Sequence, residues 1–128
     1  MTKAEQFEAL AQRCEQATGP DGNLNKTILR ALGYTWRGMD YWHSDNKRIW
    51  INPSNFTASL DAALTLVPEG LRPSVGQSVR HGYWHAFVQS IVDSTPHQLG
   101  GAVSNTSGAL ALCAASLRAC AAVERGMC

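Results

Sequence analysis

The sequence predicts an α+β protein in which a small antiparallel sheet is layered with packed helices. Three observations support this fold class. Four segments carry apolar residues at helical spacing, short runs of aromatic and β-branched residues lie among them, and turn-forming residues separate the two kinds of segment. At 128 residues the chain has the length of one domain with one hydrophobic core, so we treat residues 1–128 as a single domain.

Two helices are expected at the start of the chain. Thr2 and Glu5 have the spacing of a capping box, which predicts a first helix over about residues 3–18. Asn23 is the expected cap of a second, shorter helix, and Gly33 is the expected stop. Because only a short turn separates them, the two helices should form a hairpin.

Strands are expected in three places. Residues 34–37 and 48–51 are rich in aromatic and β-branched residues and flank a turn, which predicts an antiparallel pair. Residues 79–92 alternate between two faces, with Gly82 at a bulge. We expect these segments to be neighbours in one sheet.

Two more helices complete the prediction. The third begins at caps within 54–57 and ends before Pro68, and the last covers about residues 106–124. The glycine-rich stretch 95–108 is predicted to be a mobile loop. The expected core residues on the first, third and last helices are Phe7, Leu10, Leu60, Leu64, Leu110 and Leu117.

Composition and motifs exclude several classes of function. A formal net charge of +1 provides no general attraction to nucleic acid. The chain shows no secretory leader and no apolar run long enough to span a membrane, so we expect a cytoplasmic protein. The familiar catalytic and phosphate-binding motifs are also missing. We therefore expect no catalytic residue, no cofactor and no enzymatic activity.

The cysteines and histidines do not predict a metal site. The four cysteines form no Cys-x-x-Cys pair, and Cys14, Cys113 and Cys120 are expected to pack in the core. His81 and His85 would lie roughly 13 Å apart on a strand, too far to share one ion.

Three stretches, 10–21, 56–70 and 109–119, resemble the phage ABA sandwich domain family. Residues 71–104 match nothing in that family. The resemblance implies a layered α+β fold, a phage or prophage origin and hence a location in the bacterial host cytoplasm. It transfers no activity and no catalytic residue.

Aromatic side chains repeatedly occur beside basic ones. Such pairs can stack on a flat ring and neutralise a phosphate, although they can equally pack a core with the basic residues facing solvent. The ligand-binding residues predicted on this basis are Trp36, Arg37, Arg48, Trp50, Arg80, His81 and Tyr83.

The phage setting implied by the resemblance suggests an anti-defence protein that binds and sequesters a phosphorylated, nucleotide-like host immune signal without cleaving it. The alternative is an inhibitor that binds a host defence protein directly, in the manner of an anti-CRISPR. A metal-independent nucleotide hydrolase ranks third. A deep pocket lined by tryptophan and arginine would favour the ligand binder, and an exposed aromatic surface the inhibitor. Homo-oligomerisation is left open.

Overall fold

The computed structural model describes residues 2–36, 41–43, 48–49, 55–92 and 95–126, with side chains for 2–34, 55–90 and 97–126. In chain order its elements are α1 (Lys3–Gln16), α2 (Gly22–Ala31), β1 (Tyr34–Trp36), β2 (Tyr41–His43), β3 (Arg48–Ile49), α3 (Leu60–Leu64), β4 (Arg72–Gln77), β5 (Trp84–Val92), β6 (Thr95–Ser104) and α4 (Gly108–Glu124). Helices packed against small antiparallel sheets confirm the predicted α+β class.

The first two helices begin at side-chain caps. Thr2 Oγ1 accepts the N–H of Glu5 at 3.1 Å, which confirms the predicted Thr2 cap. The Glu5 carboxylate accepts from the Thr2 hydroxyl at 3.0 Å, and not from the Thr2 backbone N–H that a full capping box would use. α2 begins earlier than predicted because Asp21, rather than Asn23, accepts the N–H of Leu24, at 3.0 Å. The buried stripe of α1 contains Phe7, Leu10, Ala11 and Cys14.

α4 lies at the centre of the molecule and is buried on every side over most of its length. It packs against α1 and against all the strands of the sheet that contains β4, β5 and β6. Leu110 and Leu117 are fully buried, as predicted. At Gly100 of β6, a Cβ atom would come within 2.1 Å of the Ala115 carbonyl oxygen and 2.7 Å of the Ala119 nitrogen. The strand backbone therefore touches the helix backbone directly.

The strands form two separate sheets. The first sheet has the order β1-β2-β3, and the second sheet has the order β4-β5-β6. The prediction that 34–37 and 48–51 pair in one sheet with 79–92 is therefore wrong. The predicted direct pairing of 34–37 with 48–51 is also wrong, because β2 lies between β1 and β3 and pairs with both of them.

Two predictions within residues 71–104 are also wrong. The predicted loop at 95–108 contains β6, which pairs with β5 from end to end apart from a bulge at Leu99. β4 was not predicted, because Pro73 and Gly76 interrupt its strand pattern; an edge strand tolerates both. Within the predicted strand 79–92, β5 begins only at Trp84.

α3 turns a different side to the core from the one predicted. It is a five-residue helix capped by Ser59, and Ala63 is its buried residue. Leu66, just beyond the helix, is also buried. Leu60 and Leu64 are 45% and 43% exposed, so their predicted place in the core is wrong. The short helix is rotated so that these two leucines lie on its solvent side.

Side chains from α1 and α4 cover the outer edge of β6. The Glu15 carboxylate accepts the N–H of Val103 at 3.1 Å, and Arg118 donates to the carbonyl of Gly101 at 2.8 Å. The two side chains also pair with each other. The hydrogen bond from Arg118 holds the pKa of the Glu15 carboxyl below its usual range. The backbone groups that another strand would use at these positions are therefore occupied.

Candidate functional site

Residues 78–83, which we call the hairpin tip, form the turn that joins β4 to β5. The Ser78 N–H donates to the Tyr83 carbonyl at 2.8 Å, and the Gly82 N–H donates to the Ser78 carbonyl at 2.9 Å. The Ser78 hydroxyl accepts the N–H of His81 at 3.2 Å. Gly82 has a φ of +74°, a conformation that glycine adopts without strain. Backbone and side-chain hydrogen bonds thus order the turn.

The hairpin tip presents apolar, aromatic and cationic groups to solvent. Val79 is 102% exposed, and Arg80 and His81 are also exposed. The imidazole of His81 stacks on the half-buried Tyr83, with ring centroids 5.9 Å apart and planes 9° apart. The tip contains no acidic residue, so its formal charge is positive. A fully exposed valine beside a stacked aromatic pair suits contact with another molecule.

A row of side chains continues from the tip along the second sheet. Tyr83, His85 and Phe87 alternate along the chain with residues that pack on α4, so they share the opposite face. The His85 ring lies over Gly76, where a Cβ atom would come within 2.7 Å of the ring. Val103, opposite His85 in the register, is 52% exposed. We call Tyr83, His85, Phe87 and Val103 the outer face.

The structure brings together part of the predicted binding set. Arg80, His81 and Tyr83 lie together on the hairpin tip. Trp36 lies in β1 and Arg48 in β3, both in the first sheet. The remaining two residues lie outside the described part of the chain: Arg37 and Trp50.

The backbone register separates the two predicted residues of the first sheet. Trp36 pairs with Tyr41, and Arg48 pairs with Trp42. Tyr41 and Trp42 are consecutive, and consecutive strand positions belong to opposite faces of a sheet. The expectation that the predicted residues converge on one face of one sheet is therefore wrong, whereas the binding role of each residue stays a prediction.

The described part of the chain includes a pair of surface clefts beside α1 and α2. One, of about 560 Å³, is lined by residues 16–23 and Lys26 at the link between α1 and α2. The other, of about 330 Å³, lies between the same helices and has Arg13 and Arg30 among its lining residues. None of the predicted binding residues lines either cleft. Neither is therefore the tryptophan- and arginine-lined pocket expected of a nucleotide binder.

The described thiols are poor nucleophiles. Cys14 and Cys113 are fully buried in the core, as predicted. A hydrogen bond with Cys14, together with burial, raises the pKa of Cys113, and burial raises the pKa of Cys120 to about 11. The reactive thiolate form of these two groups is therefore scarce at neutral pH. Across the described residues, no three His, Cys, Asp or Glu side chains form a cluster that could hold a metal ion.

Sequence reasoning missed two exposed apolar residues of this region. Val79 was assigned to a strand, and a valine inside a strand gives no reason to expect full exposure. Val103 fell in the segment 95–108 that was predicted to be a loop. The alternation of His85 and Phe87 was visible in the sequence, but it did not show which face of the sheet the helices leave open.

Across its described residues the chain has no helix both long and apolar enough to cross a membrane. No protein-family model, no curated protein and no solved structure matches the chain. The resemblance to the phage ABA sandwich domain family therefore depends on the three sequence stretches quoted above, and it stays a prediction.

Proposed function

We propose that this protein acts by binding a partner protein, with the hairpin tip and the outer face as its contact surface. The observation that carries the proposal is Val79, fully exposed on a hydrogen-bonded turn beside the stacked rings of His81 and Tyr83. An ordered turn loses little conformational entropy on binding. Aromatic and arginine side chains are also the groups most enriched among residues that dominate binding energy.

The shape of this surface favours a protein over a small ligand. Small molecules are bound in concave sites that enclose most of their surface, whereas the tip is the end of a hairpin. A complementary partner would offer an apolar cleft for Val79 and acidic groups for Arg80. The resemblance to a phage family makes a host defence protein the expected class of partner.

The experiment begins with identification of a partner by affinity capture from bacterial lysate, followed by calorimetric titration of the purified pair. The double variant Val79→Ser/Arg80→Ala should weaken binding at least about tenfold, because each contact is worth roughly 1 kcal/mol or more at an interface centre. Binding should also weaken with added salt, because Arg80 contributes through its charge.

Val123 provides a matched control, since it is 39% exposed but lies near the end of α4, away from the hairpin. Val123→Ser should leave the affinity unchanged. Wild-type affinity in the tip double variant would refute the proposed surface.

The sequestration of a nucleotide-like signal is the second candidate. One observation favours it: β2 and β3 place Trp42 opposite Arg48, so an aromatic and a guanidinium residue are cross-strand neighbours. A thermal-shift screen with cyclic and linear nucleotides tests it, because a tight ligand raises the melting temperature. A nucleotide response that Arg48→Ala abolishes, without any protein partner, would replace the first proposal with this one.

A further inference from the structure

We propose that a second copy of this chain pairs with the free edge of β4, so that the second sheets of two molecules join into one continuous antiparallel sheet across a two-fold axis. The proposal concerns a different surface from the hairpin tip, and it does not depend on the partner protein proposed above.

The two edges of the second sheet differ in what covers them. At the β6 edge, Glu15 and Arg118 bind the backbone of Val103 and Gly101. At the β4 edge, no described residue forms a comparable bond to the strand. Residues 73–77 carry no charge, and most of β4 is exposed. Proteins commonly block edges that must not pair, with proline as one of the means, and Pro73 removes one donor from β4. The other backbone groups at this edge have no such cover from the described residues, so β4 is the edge available for pairing.

The register shows which backbone groups of β4 face outward. Because the Val103 N–H binds Glu15, it points away from β5, and the pair that Val103 forms with His85 is not hydrogen-bonded. The backbone groups of His85 therefore point toward β4, where its partner is Gly76. The backbone groups of Gly76 consequently point toward β5. Because the backbone groups of consecutive strand residues point to opposite sides, Val75 presents its N–H and C=O to the free edge.

The closing bond of the hairpin agrees with this assignment, since the Ser78 N–H points inward to Tyr83. The outward positions of β4 are consequently Pro73, Val75 and Gln77. Of these, Pro73 has no N–H to donate, and the other two offer one N–H each.

An antiparallel pair centred on Val75 uses every outward N–H of both copies. Each Val75 N–H would meet the Val75 carbonyl of the other copy, and each Gln77 N–H would meet a Pro73 carbonyl. The half-buried Val75 side chains would lie against each other, extending the apolar contact that Val75 already makes near Gly108.

The structure favours a second copy over a longer assembly. The uncharged edge of 73–77 lets two identical strands meet without like charges opposite each other. Since the second sheet, as the described residues show it, has one open edge and one blocked edge, pairing of the two open edges of this sheet is complete at a dimer.

The test is analytical ultracentrifugation of the full chain, without partner, over a wide concentration range. Gln77→Pro removes an outward N–H and no bond of the β4–β5 ladder, so it should abolish the dimer. Gln77→Ala, which keeps the N–H, should retain it. Pro73→Ala adds a donor on each copy and should tighten the dimer roughly thirtyfold, because the two new hydrogen bonds add their usual net contributions.

Circular dichroism and thermal unfolding of the monomeric fraction verify that each variant is folded. A wild-type chain that stays monomeric at every concentration would refute the β4 edge as an interface. So would a dimer that survives Gln77→Pro or does not tighten with Pro73→Ala. Because the hairpin tip is unchanged in all three variants, these outcomes leave the proposed partner surface to its own test.

Discussion

The two faces of the second sheet use the same strands for different purposes. On the inner face, Ala86 and Val88 are buried against α4, and Gly100 lets the helix backbone approach. On the outer face, His85 and Phe87 are half-buried, although they alternate with the inner residues along one strand. The inner face therefore carries a residue without a side chain where the helix backbone comes closest, at Gly100, whereas His85 and Phe87 on the outer face keep large side chains.

The largest difference between the two faces is expected when one methyl group is added to each. Gly100→Ala should destabilise the protein by about 3 kcal/mol, since the new Cβ would overlap backbone atoms of α4 that cannot move independently. Gly101→Ala is the control, because its Cβ would meet the end of the flexible Gln98 side chain. Its effect should stay below about 1 kcal/mol. Urea denaturation measures the free energy of unfolding of both variants, and equal decreases for Gly100→Ala and Gly101→Ala would contradict the assigned difference between the faces.

A smaller difference is expected when a valine on each face is shortened to alanine. Val88 is fully buried on the inner face, and Val103 is 52% exposed on the outer face. Val88→Ala should cost about 2 kcal/mol through lost burial and a small cavity, whereas Val103→Ala should cost less than about 1 kcal/mol. Chemical denaturation of both variants measures the difference. A cost for Val103→Ala as large as that for Val88→Ala would show that the outer face is covered.

The smallest effect is expected at the edge between the two faces. The folded state lowers the pKa of Glu15 from 4.5, so this carboxylate contributes stability at neutral pH that is lost as the pH falls through the lowered value. Glu15→Gln should cost about 1 kcal/mol at pH 7, because a partly exposed pair is screened by solvent.

The stabilities of wild type and Glu15→Gln should begin to approach each other below the ordinary glutamate pKa and converge below the lowered pKa of Glu15, where the folded wild-type side chain is protonated. Arg118→Met should remove the same pH dependence, since Arg118 is the main cause of the shift. Denaturation curves of wild type and both variants, measured from neutral to acid pH, check the expected convergence and the expected loss of pH dependence. A difference that stays constant with pH would mean that the ion pair contributes nothing to folding.

Local signals predicted α1 and α4 well. The Thr2 cap of α1 involves Glu5, only three residues away, and the buried stripe of α1 follows from its own periodicity. The alternation along β5 was also visible before the structure, because inner and outer residues repeat every second position. These features involve near neighbours in the chain, so the sequence contains what is needed to predict them.

The candidate site was predicted only in part. Arg80, His81 and Tyr83 occur together because they are close in sequence, and a turn keeps close residues together. Trp36 and Arg48 depend on which strands pair, and the pairing placed them in another sheet. Strand pairing is decided by contacts between distant residues, which an aromatic and basic composition shared by several strands does not specify.

The fold class, the presence of the last helix and the alternating faces of β5 could be predicted from the sequence, because each follows from hydrogen bonds or periodicity within one segment. Three features became visible only in the folded protein: the stretch around Gly100 is a strand, α3 turns Leu60 and Leu64 to solvent, and one edge of the second sheet is blocked. The physical reason is the same in all three cases. A glycine can serve flexibility or close packing, a leucine can lie on either side of a short helix, and a strand edge can be open or covered; only the neighbours brought by folding select between them.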